Sequence, residues 1–271
     1  MRGKLGYAVM VLLCAGAGFA AAPCHAQDAD ELAKQLSNPV ANLISVPLQL
    51  NWDDRIGPEE DGERFQLNVQ PVAPISIGED WNMISRTILP IVSQSDVFPG
   101  AGSQTGIGDI TQSLFFSPKQ PTASGWVWGV GPAFLIPTAS DDLLGTDKWG
   151  LGPTAVVLRQ TKEGWTYGAL VNHIWSVAGD DDRADISSTF LQPFVAKGIG
   201  KGRTISVNFE STYDWKGEQW TAPLNLSYSK VSKIGSQMVS YAGGVRYYVD
   251  APDTGAEWGL RFVLTLLYPT K

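Results

Sequence analysis

The stretch Arg203–Trp215, RTISVNFESTYDW, decides the fold. Ile205, Val207, Phe209, Tyr213 and Trp215 share one parity, while Thr204, Ser206, Asn208, Glu210, Thr212 and Asp214 share the other. A side-chain period of two marks a β-strand with two unlike faces. The same pattern recurs on both sides of it: LISVPLQLNW at 43–52, FQLNVQPVAPIS at 65–76, GWVWGVGPAFLIP at 125–137, WTAPLNLSYS at 220–229 and WGLRFVLTLLY at 258–268. Extended segments near Met83–Ile91, Ile110–Phe116, Trp149–Leu158, Trp165–Trp175, Ile186–Lys197 and Met238–Val249 complete a set of about twelve strands. No helical period separates them. The one expected helix is short, Ala29–Leu36 (ADELAKQL), ahead of Ser37 and Pro39.

Which environment meets the apolar face follows from the tryptophans. Trp52, Trp81, Trp126, Trp128, Trp149, Trp165, Trp175, Trp215, Trp220 and Trp258, with Tyr268, fall near strand ends on the apolar parity. A soluble sandwich buries such rings mid-strand. Rings at strand ends form the interfacial girdle of a transmembrane barrel, and strands of roughly 10–13 residues are long enough to cross a bilayer at a tilt. The expected fold is therefore an all-β, antiparallel transmembrane barrel of about twelve strands with a short N-terminal helix. Trp52, Trp126, Trp165, Trp215, Trp220, Trp258 and Tyr268 are assigned to the girdle. The opposite parity faces the lumen.

The connections agree. One alternating set is long and acidic: DDRIGPEEDGE, QSDVFPGAGSQTGIGD, TASDDLLGTDK, AGDDDRAD, DWKGEQ and DAPDTGAE. The other is short and richer in Lys and Arg: GED, KQPTASG, TKEG, GIGKGR and KIGSQ. Outer-membrane barrels sort their loops in this way. Prolines at 47, 71, 74, 90, 132, 153, 193 and 223 fall inside strands, where each removes a ladder donor, so several bulges are expected.

Composition fits the same class. Charged residues make up 17% of the 271, below the roughly 25% of a soluble domain. The net charge of −7 argues against a nucleic-acid partner. Arg2 and Lys4 precede the apolar run LGYAVMVLLCAGAGFAAA, and Pro23 and Cys24-His25-Ala26 follow it, as in a secretion signal cleaved near Ala26. Three segments result: a signal at 1–26, a periplasmic segment with the short helix at 27–42, and the barrel at 43–271. Such cleavage removes both cysteines and leaves His173 as the one histidine.

The segments NPVANLISVPLQ, WNMISRTILPI, GIGDITQSLFFSPK, GVGPAFLIPTASD, KWGLGPTAVVL and LVNHIWSVAGD resemble the outer-membrane transporter family labelled "MetA pathway of phenol degradation". The resemblance covers nearly the whole mature chain. It implies an outer-membrane barrel encoded near catabolic or transport genes, and no catalytic residue. One departure from outer-membrane barrels in general is that Tyr268 is followed by Pro269, Thr270 and Lys271.

Candidate chemistry is sparse. Asp180, Asp181, Asp182 and Asp185 lack the central Gly and distal Glu of a calcium loop and read as a solvated acidic loop. GAGSQTGIGD and GIGKG lack the Lys-Ser/Thr ending and the helix of a phosphate loop. No metal or cofactor is expected. His173 shares its parity with Trp165, Tyr167, Val171 and Trp175, whereas Ser176 does not, so a Ser–His pair on one strand is disfavoured. The lumen-parity polar residues Gln49, Asn68, Arg86, Asn208, Glu210, Arg246 and Arg261 are the selectivity candidates. Symmetric pairing about the last loop sets Arg246 opposite Arg261 and brings Glu210 to Arg246, leaving Arg261 partly free.

The expected function is passive passage of small solutes across the outer membrane of a Gram-negative bacterium, with the resemblance suggesting organic or aromatic compounds. The alternatives are a lipid-face hydrolase using His173 and a plugged structural or adhesion barrel. The expected partners are outer-membrane lipid and lipopolysaccharide, the barrel-assembly machinery and a small solute. No enzymatic activity is expected.

Overall fold

The computed structural model describes residues 29–269. The signal segment and its cleavage site lie outside the described residues, as do Thr270 and Lys271. Twelve antiparallel strands form one closed sheet. They are β1 (Leu43–Ile56), β2 (Gly62–Val69 with Val72–Ser76), β3 (Trp81–Ser95), β4 (Ser103–Ile107 with Ile110–Pro118), β5 (Trp126–Ile136) and β6 (Lys148–Gln160). Next come β7 (Trp165–Gly179), β8 (Ser187–Gly198), β9 (Arg203–Phe209 with Ser211–Asp214), β10 (Gln219–Thr221 with Pro223–Ile234), β11 (Gln237–Tyr248) and β12 (Trp258–Pro269). Each strand pairs with its neighbours in sequence. The ring closes where β12 meets β1, from Leu43↔Pro269 to Asp54↔Trp258. Closure removes every exposed edge, the condition for strands to cross hydrocarbon. No helix among the described residues is long and apolar enough to cross a membrane.

Alternation sorts side chains as the sequence predicts. On β9, Ile205 and Val207 are exposed on the outer wall, while Thr204 is buried inside. On β12, Phe262, Leu264 and Tyr268 are exposed and Arg261, Thr265 and Leu267 are buried. All seven girdle residues take the outward parity. Trp52 stacks on Phe65 and meets Trp258 edge-on, and Tyr213 packs between Trp215 and Trp220. Trp149, Trp175, Trp215 and Trp220 lie near the end that carries the long acidic connections, here the loop end. Trp126, Trp165 and Tyr268 lie near the other, the turn end.

The prolines behave differently from expectation. Register runs unbroken through Pro47, Pro71, Pro74, Pro132, Pro153, Pro193 and Pro223, and Pro132 faces Pro153 directly across β5 and β6. The ladder loses a donor without gaining a residue, because the carbonyl side still pairs: Gln70 N donates to Pro47 O at 2.9 Å and Glu210 N to Pro223 O at 3.1 Å. These gaps divide β2, β9 and β10 into two stretches each. Only Pro90 faces a register shift, at Gly108–Asp109 of β4. The other shifts fall at Asp53/Ile56 and Trp149/Gly150, near the loop end, and neither coincides with a proline.

The helix α1 (Ala29–Leu36) sits inside the turn end. Its Leu32 and Ala33 are buried against Leu43, Val231 and Leu267, the inward residues where β1, β10 and β12 begin or end. Asp30 Oδ1 accepts from Gly202 N at 2.6 Å, and Gln160 Nε2 donates to Lys34 O at 2.7 Å. Just beyond the helix, Val40 joins Ile84, Phe115, Val156, Leu158 and Leu170 in an apolar cluster within the lumen.

Candidate functional site in the barrel lumen

The lumen has two unlike sides. Strands β3 to β8 line it mainly with Ile84, Ile88, Phe115, Leu135, Val156, Leu158, Leu170, Ile174, Phe190 and Phe194, with Arg86, Ser113, Thr154 and Asn172 set among them. Strands β9 to β12, with β1 and β2, line it with Asn208, Glu210, Asn225, Arg246, Arg261, Asn51, Asp53 and Asn68. Burial demands that the charges of this second side be paired, and they are. Arg261 makes a two-pronged contact with Glu210, Nη1 to Oε1 at 2.8 Å and Nη2 to Oε2 at 2.6 Å, and its Nε donates to Asn51 Oδ1 at 2.8 Å. Such fork-to-fork pairing is the strongest geometry available to a guanidinium. Arg246 Nε lies 3.4 Å from Asp53 Oδ1, and Arg246 Nη2 donates to Tyr248 Oη at 3.1 Å. Asn225 Nδ2 donates to Asn208 Oδ1 at 2.9 Å, and Gln66 Nε2 donates to Asn68 Oδ1 at 2.9 Å. Gln49 pairs across to Asn68 on the same inward face.

The expected Glu210–Arg246 contact is corrected: Glu210 holds Arg261, and Arg246 turns to Asp53. The cause is register. β11 and β12 pair with Tyr247 opposite Trp258, so Arg261 faces Gly244 and Arg246 faces Gly259. Each arginine thus lies opposite a glycine rather than opposite the other, which relieves like-charge repulsion. The two then reach in opposite directions. Arg246 passes over Gly259 toward Asp53, where an added Cβ would lie 2.6 Å from Asp53 Oδ1. Arg261 passes over Gly244 toward Glu210. Asn51 has the lumen parity in the sequence but is not among its selectivity candidates, and Asp53 is missed because it reads as part of the acidic connection. β1 in fact runs to Ile56, and the inward parity of Gln49 carries on through both.

Arg86 stands apart. It projects from β3 into the apolar half and donates to Gln70 Oε1 at 3.2 Å. Among the described residues no carboxylate approaches it within ion-pair distance. Arg86 lies between two cavities. One, of about 570 Å³, opens at the loop end and is lined by Ile88, Leu135, Asn172, Ile174, Ile186 and Phe190. The other, of about 200 Å³, lies beside the helix, against Leu36, Asn38, Gln70 and Gln192.

At the loop end the acidic segment is internally tied. Asp180 Oδ1 accepts from Asp182 N at 2.9 Å, and Asp185 accepts from Ser176 Oγ at 3.1 Å and lies 3.3 Å from Lys148 Nζ. The Lys148 contact, then the Ser176 hydroxyl, holds the Asp185 carboxyl below its ordinary value. Ser176 is therefore engaged at the loop end. His173 faces outward, with Nδ1 2.7 Å from Thr189 Oγ1 and Trp175 against its ring; Ser187 Oγ is 3.5 Å from Nε2. Thr189 Oγ1 also accepts from Trp215 Nε1 at 2.8 Å. The histidine is knitted into the girdle.

A closed twelve-stranded barrel with an apolar outer band, aromatic girdles and a charged interior is an outer-membrane β-barrel. The model of the family described as "Putative MetA-pathway of phenol degradation" matches residues 65–261, and the chain belongs to that family. No curated protein matches it in sequence. Among solved structures it is similar to the COG4313 outer membrane channel from Pseudomonas putida F1, with TM-score 0.64 and 14% identity, covering 83% of this chain and 94% of that one. It is also similar to outer membrane phospholipase A from Escherichia coli, with TM-score 0.50 and 12% identity over 82% and 90% of the two chains.

Proposed function

We propose that the protein is an outer-membrane channel for passive passage of small organic solutes. The observation that carries this reading is the 570 Å³ chamber that opens at the loop end and reaches Arg86, beside a second cavity along the helix. The fold likeness to an outer membrane channel and the family's phenol-degradation label support it. The loop end faces the exterior and the turn end, with α1, faces the periplasm. Lipid and lipopolysaccharide surround the wall, and the barrel-assembly machinery inserts it. His173 is given no hydrolytic role: its hydroxyl neighbours come from the adjacent strand, the Ser187 contact is long, and Thr189 is shared with Trp215.

Purified protein in a planar bilayer should show discrete single-channel steps, and proteoliposomes should take up small aromatic solutes faster than empty vesicles. A protein that folds into the bilayer and gives neither removes the channel reading. Orientation is tested separately. A cysteine at Asp181 should react with an impermeant reagent on intact cells, and one at Gly200 should react only after the outer membrane is breached. Labelling of both on intact cells overturns the orientation.

A further inference from the structure

We infer that the chamber above Arg86 is a binding site for small amphipathic anions, an aromatic or branched aliphatic ring or chain bearing one carboxylate. The inference rests on the reading of the lumen as the solute path. Three observations converge on it. The walls are apolar over most of their extent, through Ile88, Leu135, Ile174, Ile186 and Phe190, the lining expected for an organic body. The volume of about 570 Å³ lies within the ordinary range for small-molecule sites. Beside Arg86, Ser113 lies directly across on β4 and Thr111 at the next inward position, while the other polar lining residues, such as Asn172 and Ser188, stand on the far wall or at the rim.

Charge decides the class. Arg261 has Glu210, and Arg246 has Asp53. Arg86 has the amide oxygen of Gln70, and among the described residues no carboxylate within ion-pair distance. A guanidinium withdrawn from water is costly unless its charge and its donors are matched. A carboxylate descending the chamber can accept two parallel N–H bonds from that fork, a match that a phenol, an alcohol or an amine does not offer. The carboxylates that face Arg86 do not cancel this preference: Glu210 acts on it through space, with both oxygens already taken by Arg261, and Asp185 and Asp214 stand at the rim. Asp185 is held by Lys148, and both lie near bulk water, where salt screens them over about 8–10 Å. Because Arg86 also borders the cavity beside the helix, an anion seated there stands where the wide chamber hands over to the narrow one.

The probes are benzoate, benzyl alcohol and benzylamine, which share a ring and differ in charge. Calorimetric titration of the detergent-solubilised protein should show saturable benzoate binding, with no comparable binding of the other two. Arg86→Gln should weaken benzoate about tenfold or more, as expected for loss of a charge-assisted pair. Leu135→Trp, which fills the chamber and keeps Arg86, should weaken it similarly. If Arg86→Gln does not fold, judged by heat-modifiable mobility, Leu135→Trp and the three-probe comparison decide the matter. Equal binding of benzoate and benzyl alcohol, or benzoate binding that survives both substitutions, overturns the proposal. Calorimetry reads the site whether or not current flows, so saturable benzoate binding in a protein with no conductance would reject the channel reading and leave the anion site standing.

Discussion

Glu210→Ala should destabilise the folded barrel by about 3–5 kcal/mol, the cost of leaving one partner of a buried ion pair unmatched. Arg261 is almost fully withdrawn from solvent, and Glu210 supplies both of its charged contacts. Among the described residues Asn51 is left as the one hydrogen-bond acceptor, and it is neutral. The measurement is a urea unfolding curve in lipid, read by heat-modifiable mobility. Replacing both partners, with Glu210→Leu and Arg261→Met together, should recover much of the loss, because an apolar pair carries no unmet charge. A single substitution costing under about 1 kcal/mol would put the pair in the class of exposed salt bridges and show that water fills this part of the lumen.

Deleting 29–36 should raise single-channel conductance several-fold. The helix fills the turn-end mouth through Leu32 and Ala33 and is tied to the wall at Gly202 and Gln160. Its amphipathic pattern places acidic Asp30 and Glu31 in the first turn and Lys34 in the last, in accord with the helix dipole. Leu32→Asp should have the same sense as the deletion, since a carboxylate cannot stay in the pocket formed by Leu43, Val231 and Leu267. Exposed Lys34→Ala should change little. Equal conductance with and without the helix would mean that the rate-limiting constriction lies higher, at Val40 and Arg86.

The wall of this barrel was largely legible in the sequence. Period two fixes inside and outside at each residue, and Trp at strand ends names the medium outside. Two features were not legible. Register depends on how each loop closes, and periodicity is silent about it. Symmetric closure about Asp250–Glu257 put Arg246 opposite Arg261, but Tyr248 N bonds to Glu257 O at 2.9 Å and moves the pairing by two. A shift of two preserves every parity while changing every partner. Ladder position also does not determine which residues meet across an open lumen, so the Arg261–Glu210 contact over Gly244 has no signature in the pattern. The placement of α1 is the second feature. ADELAKQL announces a helix, but nothing in eight residues says that its apolar stripe will seek the barrel interior rather than the membrane surface.

The division of the lumen into an apolar side and a charged side has a consequence for traffic. A sugar, wet on every face, must shed much of its water along β3 to β8, where the few inward polar groups return only part of it. A flat molecule with one greasy edge and one polar edge loses hydration only where the wall is already dry, and it keeps polar neighbours on the other flank. In the channel reading proposed above, passage should therefore discriminate by the orientation of a solute's own polarity, so that two molecules of equal width differ in rate. Because the fixed charges and amides stand mainly on one side of the bore, a dipolar solute on the proposed path should turn its polar edge toward β9 to β12 and travel like a card through a slot.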